Sequence, residues 1–87
     1  MKGFLYILED EKGKFYIGST TDIKRRLKQH KSAHTKTTHR MKNPKLALIQ
    51  EYGSLETARK IERKIKNLKR KDYIEKMIND GYIKIIP

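Results

Sequence analysis

The stretch FYIGSTTDIKRRLKQH (residues 15–30) decides the fold, because it joins a strand to a helix within one short segment. Its aromatic and branched start, Phe15 to Gly18, is typical of a strand. The side chains of STTD (residues 19–22) then supply capping hydroxyls and a carboxylate, so a helix is predicted over residues 21–30. At about 100° per residue, Ile23, Arg26, Leu27 and His30 share one face of that helix.

A second strand precedes this segment. Residues 4–8 (FLYIL) have strand character, and the polar EDEKGK that follows, with Gly13 late in it, predicts a hairpin turn. If the two strands pair, Tyr6 and Tyr16 can lie near each other on one face of the hairpin.

The second half of the chain predicts one more strand and further helix. Residues 31–45 show no apolar periodicity, and a connection this long in a small domain is usually functional or disordered. Residues 46–52 (LALIQEY) are predicted to form the third strand. Ser54 can cap a helix whose apolar arc comprises Leu55, Ala58, Ile61, Ile65 and Leu68.

Two segments of residues 72–87 each leave two alternatives open. DYIEKMIND (residues 72–80) is predicted to be a further helix or a continuation of the previous one, ended by Gly81. Residues 82–87 are predicted to be an added strand or a packed extension. The order of elements indicates an α+β fold, and the length of 87 residues indicates a single domain over residues 1–87.

Composition narrows the class of partner. The net charge is +12, from 22 Lys and Arg against 10 Asp and Glu. Residues 23–50 hold no acidic residue and nine Lys or Arg, and such clustering favours a polyanion. Nucleic acid is the leading candidate, with an anionic membrane surface as the alternative. The chain has no cysteine, which suits a cytoplasmic location, and no apolar run long enough to span a membrane.

Glu62 is the most informative single residue, because it falls inside the apolar arc of its predicted helix. A carboxylate in that position is rarely buried without a partner. It either pairs with Arg59, Arg63 or Lys66 at the border of the core, or it acts as a metal ligand or acid–base group. Magnesium is often held by one or two carboxylates and keeps most of its waters, so one glutamate would be enough.

Four other side chains could join such a site. Arg26 lies on a helix face with apolar neighbours, where its guanidinium could bind a phosphate through two hydrogen bonds. His30 follows at i+4 on the same face. Tyrosines normally have a pKa of about 10, too high for a base at neutral pH, but a nearby arginine and a divalent metal would lower it. Tyr6 and Tyr16 therefore make sense as catalysts only in a strongly cationic site.

These residues, in this order, resemble the GIY-YIG endonuclease domain family, and the small stand-alone bacterial members related to the nuclease domain of excision repair in particular. The family's first motif corresponds to FLY (residues 4–6), in which only Tyr6 is identical, and its second motif to YIG (residues 16–18). STTDIKRRLKQH is similar to the helix that carries the family's arginine and histidine, and TARKIERKIK to the helix that carries its glutamate. The likeness covers about residues 2–76.

The resemblance implies a fold and a chemistry. The fold would be a three-stranded antiparallel sheet flanked by helices. The activity would be that of a metal-dependent endonuclease that hydrolyses DNA phosphodiester bonds, structure-directed or weakly specific, in DNA repair or recombination. One Mg²⁺ or Mn²⁺ ion would bind at Glu62. Tyr6 as phenolate would be the likelier base, with Tyr16 hydrogen-bonded to the phosphate or the attacking water.

The remaining implied roles concern charge and DNA. Arg26 would offset the charge that develops on the phosphate oxygens, and His30 would orient a tyrosine or relay its proton. Duplex, branched or single-stranded DNA would be the partner, and no appended DNA-reading domain is visible, so a targeting protein is a further expected partner. The alternative is a catalytically inactive nucleic-acid-binding module on the same fold. The residues expected to bind DNA are Arg25, Lys28, Lys31, Lys36, Arg40, Lys42, Arg63 and Lys66.

Overall fold

The architecture is a single antiparallel sheet with helices. The computed structural model describes residues 1–31 and 41–86, and the side chains of residues 1–29 and 41–86. In this part the strands are β1 (Gly3–Glu9), β2 (Phe15–Thr20) and β3 (Lys45–Tyr52), and the helices are α1 (Ile23–Lys31), α2 (Leu55–Leu68) and α3 (Lys71–Asp80). The strand order is β2-β1-β3, with both pairings antiparallel. The prediction of an α+β fold with a three-stranded antiparallel sheet is confirmed.

The register of the β1–β2 hairpin sorts its side chains between two faces. Tyr6 lies opposite Gly18, and Leu8 lies opposite Tyr16. Because side chains alternate along a strand, these four residues share one face. Ser19, which lies opposite Leu5, belongs to the other face.

The second face carries the hydrophobic core. Leu5 and Ile7 of the central strand β1 are fully buried there, and they pack with Ile61 and Ile65 of α2. Four further buried residues complete this cluster, namely Ile17, Leu48, Met77 and Ile83. Helix α2 is therefore held against β1 and β2, which fixes the position of every polar side chain that it carries on its inner edge.

A buried aspartate organises the hairpin turn. One carboxylate oxygen of Asp10 accepts hydrogen bonds from the backbone N–H groups of Lys12 (2.9 Å) and Lys14 (2.7 Å). The other accepts one from the N–H of Lys42 (3.4 Å), just before β3. Burial tends to raise the pKa of Asp10, but the three backbone donors outweigh it and hold that pKa below its ordinary value. The carboxylate therefore ties the turn to the entry of the third strand.

The helix boundaries follow local capping. Helix α1 begins at Ile23, two residues later than predicted, because the carboxylate of Asp22 accepts the N–H of Arg25 (3.0 Å) as a cap. Ser54 caps α2 as predicted, accepting the N–H of Thr57 at 3.2 Å. Lys69, in the left-handed conformation at φ 51°, separates α2 from α3. Of the two alternatives for residues 72–80, the separate helix is therefore confirmed.

The C-terminal segment is a packed extension and not a strand over the described residues 82–86. Helix α3 ends at Gly81, whose φ of 80° is left-handed. Ile83 is buried, and the side-chain amide of Gln50 bonds both of its backbone groups: Ile83 N–H donates to Oε1 at 2.7 Å, and Nε2 donates to Ile83 O at 3.2 Å. The Gln50 amide thus makes the two hydrogen bonds to the Ile83 backbone that a neighbouring strand would otherwise make.

The apolar arc of α2 is not buried along its whole length. Leu68, placed on the apolar arc of α2, is 38% exposed, so that arc extends beyond the core. Within the described residues, no helix combines the length and the apolar character needed to cross a membrane.

Candidate active site

The two tyrosines of the hairpin lie together, as their predicted pairing required. The ring centroids of Tyr6 and Tyr16 are 6.1 Å apart, with ring planes tilted by 34°. Gly18, which lies opposite Tyr6 in the register, is required for steric reasons. A Cβ added to Gly18 would lie 2.5 Å from the Tyr6 hydroxyl and 2.6 Å from its Cζ, so only glycine lets that ring lie across β2.

The environment of Tyr6 brings the predicted site residues into one electrostatic neighbourhood. The side chain is only 1% exposed, and this burial raises the pKa of Tyr6 well above its ordinary value. Tyr16 raises it further, both through its charge and through a hydrogen bond between the phenols. The guanidinium of Arg26 lowers the Tyr6 pKa, and the carboxylate of Glu62 raises it. Tyr16, Arg26 and Glu62 therefore all act electrostatically on Tyr6.

The carboxylate of Glu62 is fixed at both oxygens. Its side chain is 20% exposed at the border of the core, next to the buried Ile61. Ser19 Oγ donates to Oε1 at 2.5 Å, and Lys66 Nζ donates to Oε2 at 2.6 Å. Of the three basic partners considered from the sequence, Lys66 is the one that pairs with Glu62.

Ser19 is a site residue that the sequence reasoning missed. Its hydroxyl links β2 directly to α2, across 43 positions of the chain. The signal that could have identified it is strand alternation. Residues 15, 17 and 19 share the face that α2 covers, so a hydroxyl at position 19 must face the inner edge of that helix.

The site lies around the edge strand of the sheet. Tyr6 and Tyr16 occupy one face of the hairpin, whereas Ser19 and the Glu62 that it holds occupy the other. Strand β2 is paired on one side only, so it forms an edge of the sheet. The phenols lie near this strand on one face of the sheet, and the carboxylate lies near it on the other face. Acid–base phenols, a guanidinium and a carboxylate around one edge form a set that can bind and polarise a phosphate.

The five predicted DNA-binding residues whose side chains the structure describes are all exposed. Arg25 and Lys28 are exposed on α1, and Arg63 is exposed on α2. Lys42 is exposed and faces Glu11 at 4.0 Å, whereas Lys66 is bound to Glu62 as described. His30 and Lys31 belong to α1, but their side chains lie outside the described part, and Lys36 and Arg40 lie outside the described residues altogether.

The donor set fits a cation held by one carboxylate. Across residues 1–31 and 41–86, no three His, Asp or Glu side chains come together as a metal-binding cluster. On Glu62, Ser19 binds Oε1, and the exposed Lys66 side chain binds Oε2, where a cation can take its place. Magnesium accepts one or two carboxylates and completes its shell with water and phosphate oxygens. The single carboxylate at Glu62 is compatible with that requirement.

Comparison with known proteins gives the class to which this fold and site belong. The GIY-YIG catalytic domain family matches residues 2–77, and the chain belongs to that family. The family is one of nucleases, so the domain is of nuclease type.

The relatives found are small bacterial proteins of similar length. A UPF0213 protein of Streptococcus pneumoniae is 40% identical over 70 residues, which covers 79% of this chain and 71% of the relative. A UPF0213 protein of Yersinia enterocolitica is 40% identical over 76 residues, covering 85% and 76%. The solution NMR structure of a UPF0213 protein from Bacillus halodurans is similar, with a TM-score of 0.59 and 33% identity over 93% of this chain and 87% of that one.

Proposed function

We propose that this protein is a divalent-metal-dependent endonuclease that hydrolyses DNA phosphodiester bonds, with structure-directed or weak sequence specificity, in DNA repair or recombination. The observation that supports the proposal is that Tyr16 packs beside Tyr6 while Arg26 and Glu62 both act electrostatically on the Tyr6 phenol. A packed core needs no such combination, whereas phosphodiester hydrolysis uses groups of these kinds to hold a cation, move a proton and offset charge on the phosphate. The membership of the GIY-YIG family supports the same reaction class.

The residues divide the reaction between them. Glu62, oriented by Ser19, is the ligand for one Mg²⁺ or Mn²⁺ ion, which when bound would supply Lewis-acid stabilisation of charge at the leaving oxygen. Arg26 donates hydrogen bonds to the phosphate oxygens on which charge develops. Water attacks phosphorus, a new P–O bond forms as the bond to the leaving oxygen breaks, a tyrosine phenolate takes the water's proton, and the leaving oxygen takes a proton from solvent. The product is a nicked strand.

The burial of Tyr6 bears on which tyrosine is the base. From the family resemblance we expected Tyr6 to act as phenolate. Burial, however, raises the pKa of Tyr6 above its ordinary value, which disfavours the phenolate and suits Tyr6 to donate a hydrogen bond. Tyr16 is half-buried, so solvent reaches it better, and it is hydrogen-bonded to Tyr6. We therefore assign proton removal to Tyr16 and the supporting hydrogen bond to Tyr6, with His30 keeping the orienting or relaying role that the resemblance implies.

Removing each phenol in turn tests this assignment. Tyr16→Phe is expected to lower the single-turnover cleavage rate by about 10²-fold, since general-base catalysis contributes on that order or more. Tyr6→Phe, which keeps the buried ring, is expected to lower it by about 10-fold through loss of one hydrogen bond. Cleavage rates of both variants at equal DNA saturation give the comparison. The reverse order of effects would return the role of base to Tyr6.

The proposed function itself is tested by incubating the purified protein with branched, single-stranded and duplex DNA. Nicked product is expected with Mg²⁺ or Mn²⁺ and is expected to disappear on adding EDTA. The competing hypothesis is a nucleic-acid-binding module without catalysis, and the ion pair that neutralises Glu62 is the observation in its favour. That module would bind DNA with strong salt dependence and give no metal-dependent product on any substrate. Binding without cleavage would therefore overturn the proposal.

A further inference from the structure

The two partners of Glu62 differ in how easily they can leave. Ser19 is part of strand β2, so its hydroxyl is held in place by the sheet. Lys66 reaches the carboxylate on a long flexible stem, and its side chain is 53% exposed. Exposed ion pairs one helical turn apart are weak, so the lysine is displaceable whereas the serine is not.

The ammonium of Lys66 occupies the position at which a cation would bind. It lies 2.6 Å from Oε2, the oxygen that Ser19 leaves available. Magnesium binds a carboxylate oxygen at about 2.0–2.1 Å, and two cations at one oxygen repel each other strongly. Lys66 and a divalent ion therefore compete for Glu62.

The lysine has an alternative partner during function. Lys66 and Arg63 are one turn apart and both exposed on α2, a surface expected to follow the DNA backbone. A phosphate that binds the Lys66 ammonium removes it from Glu62 and frees Oε2. DNA and the cation both favour the state in which Lys66 has left Oε2. Each of them therefore raises the affinity of the protein for the other.

We propose that Lys66 is an internal counter-ion of Glu62 which DNA withdraws, so that the metal site becomes fully available only when nucleic acid is bound. This rests on the proposed function, since it takes Glu62 as the metal ligand and DNA as the substrate. The proposal gives Lys66 a role in controlling access to Glu62, in addition to the expected binding of the DNA backbone. In the free protein the carboxylate is neutralised, and in the complex it is exposed to the cation.

The experiment measures Mn²⁺ binding by electron paramagnetic resonance of the free ion, without any cleavage readout. Lys66→Met is expected to bind Mn²⁺ about 3- to 10-fold more tightly than wild type, because the competing charge is gone. The matched control is Lys60→Met, an exposed lysine of the same helix two positions before Glu62 and hence on another face. It is expected to bind Mn²⁺ as wild type does.

The coupling is measured by repeating the titrations with a short phosphorothioate oligonucleotide, after subtracting the ions that it binds alone. Because bound phosphate itself supplies metal ligands, Mn²⁺ affinity is expected to rise in all three proteins, but several-fold more in wild type and Lys60→Met than in Lys66→Met. Equal Mn²⁺ affinity of Lys66→Met and wild type, or an equal rise in all three proteins, overturns the inference.

Glu62→Gln separates failure of this inference from failure of the proposed function. If Glu62→Gln loses Mn²⁺ binding while Lys66→Met behaves as wild type, only the counter-ion role is wrong. If Glu62→Gln binds Mn²⁺ as wild type does, Glu62 is not the metal ligand and the proposed function fails with it.

Discussion

Replacing Glu62 by glutamine is expected to lower DNA cleavage by at least about 10³-fold, because the carboxylate charge that holds the cation is removed and several kcal/mol of transition-state stabilisation are lost with it. Glutamine keeps the length of the side chain, and its carbonyl oxygen can still accept the hydrogen bond from Ser19. The free energy of unfolding is expected to change by only about 0.5 kcal/mol, since the lost ion pair with Lys66 is an exposed one.

Three measurements on one preparation check this expectation. Single-turnover cleavage at saturating Mg²⁺ gives the rate, fluorescence anisotropy gives DNA affinity, and thermal unfolding gives stability. Glu56→Gln is the matched control, because Glu56 is an exposed glutamate in the first turn of the same helix. The control is expected to cut within about 2-fold of wild type. Cleavage by Glu62→Gln at the wild-type rate would mean that a contaminating nuclease makes the product.

Replacing Gly3 by alanine is expected to destabilise the domain by about 2–3 kcal/mol. A Cβ added there would lie 2.5 Å from both Leu55 Cα and Ser54 O, and 2.7 Å from Leu55 N. These are backbone atoms at the start of α2, so no side-chain rotation can relieve the overlap. Either β1 or α2 must move, and the core between them loses contacts. The free energy of unfolding of a small domain is only about 5–15 kcal/mol, so this loss is a large fraction of it.

The measurement is the midpoint of thermal unfolding, which is expected to fall by about 10–20 °C for a domain of this size. Gly53→Ala is the control, because a Cβ at Gly53 meets no atom within 4 Å. That variant is expected to remain within about 0.5 kcal/mol of wild type. If Gly3→Ala unfolds at the wild-type temperature, the close approach of α2 to β1 is not a constraint on the fold.

The elements with local signals could be predicted from the sequence. The hairpin is marked by two strand-forming runs around a polar turn, and Ser54 marks the start of α2. Glu62 stood out because helical periodicity placed a carboxylate on an apolar arc. Its pairing with Lys66 also follows from i, i+4 spacing, although spacing alone did not choose among three possible basic partners.

Features that depend on packing across the chain could not be predicted. The contact of Gly3 with Leu55 requires knowing how closely a helix approaches a strand. The bond from Lys42 to Asp10 spans 32 positions, and nothing near Asp10 in the sequence indicates it. The pKa of Tyr6 is governed first by burial, and the depth of a side chain cannot be read from its neighbours along the chain. Helical periodicity placed Leu68 on the apolar face of α2, but it did not indicate how much of that face the core covers.

The position of Tyr6 in the sheet connects the proposed reaction with the cooperative unfolding of the domain. It lies in the central strand and is almost fully buried, although active-site residues commonly lie on loops that open at little energetic cost. Central strands exchange their amide protons only when the whole domain opens. The part of the proposed chemistry that depends on Tyr6 therefore does not unfold locally: on heating, its hydrogen bond would persist up to the global melting transition and be lost with it.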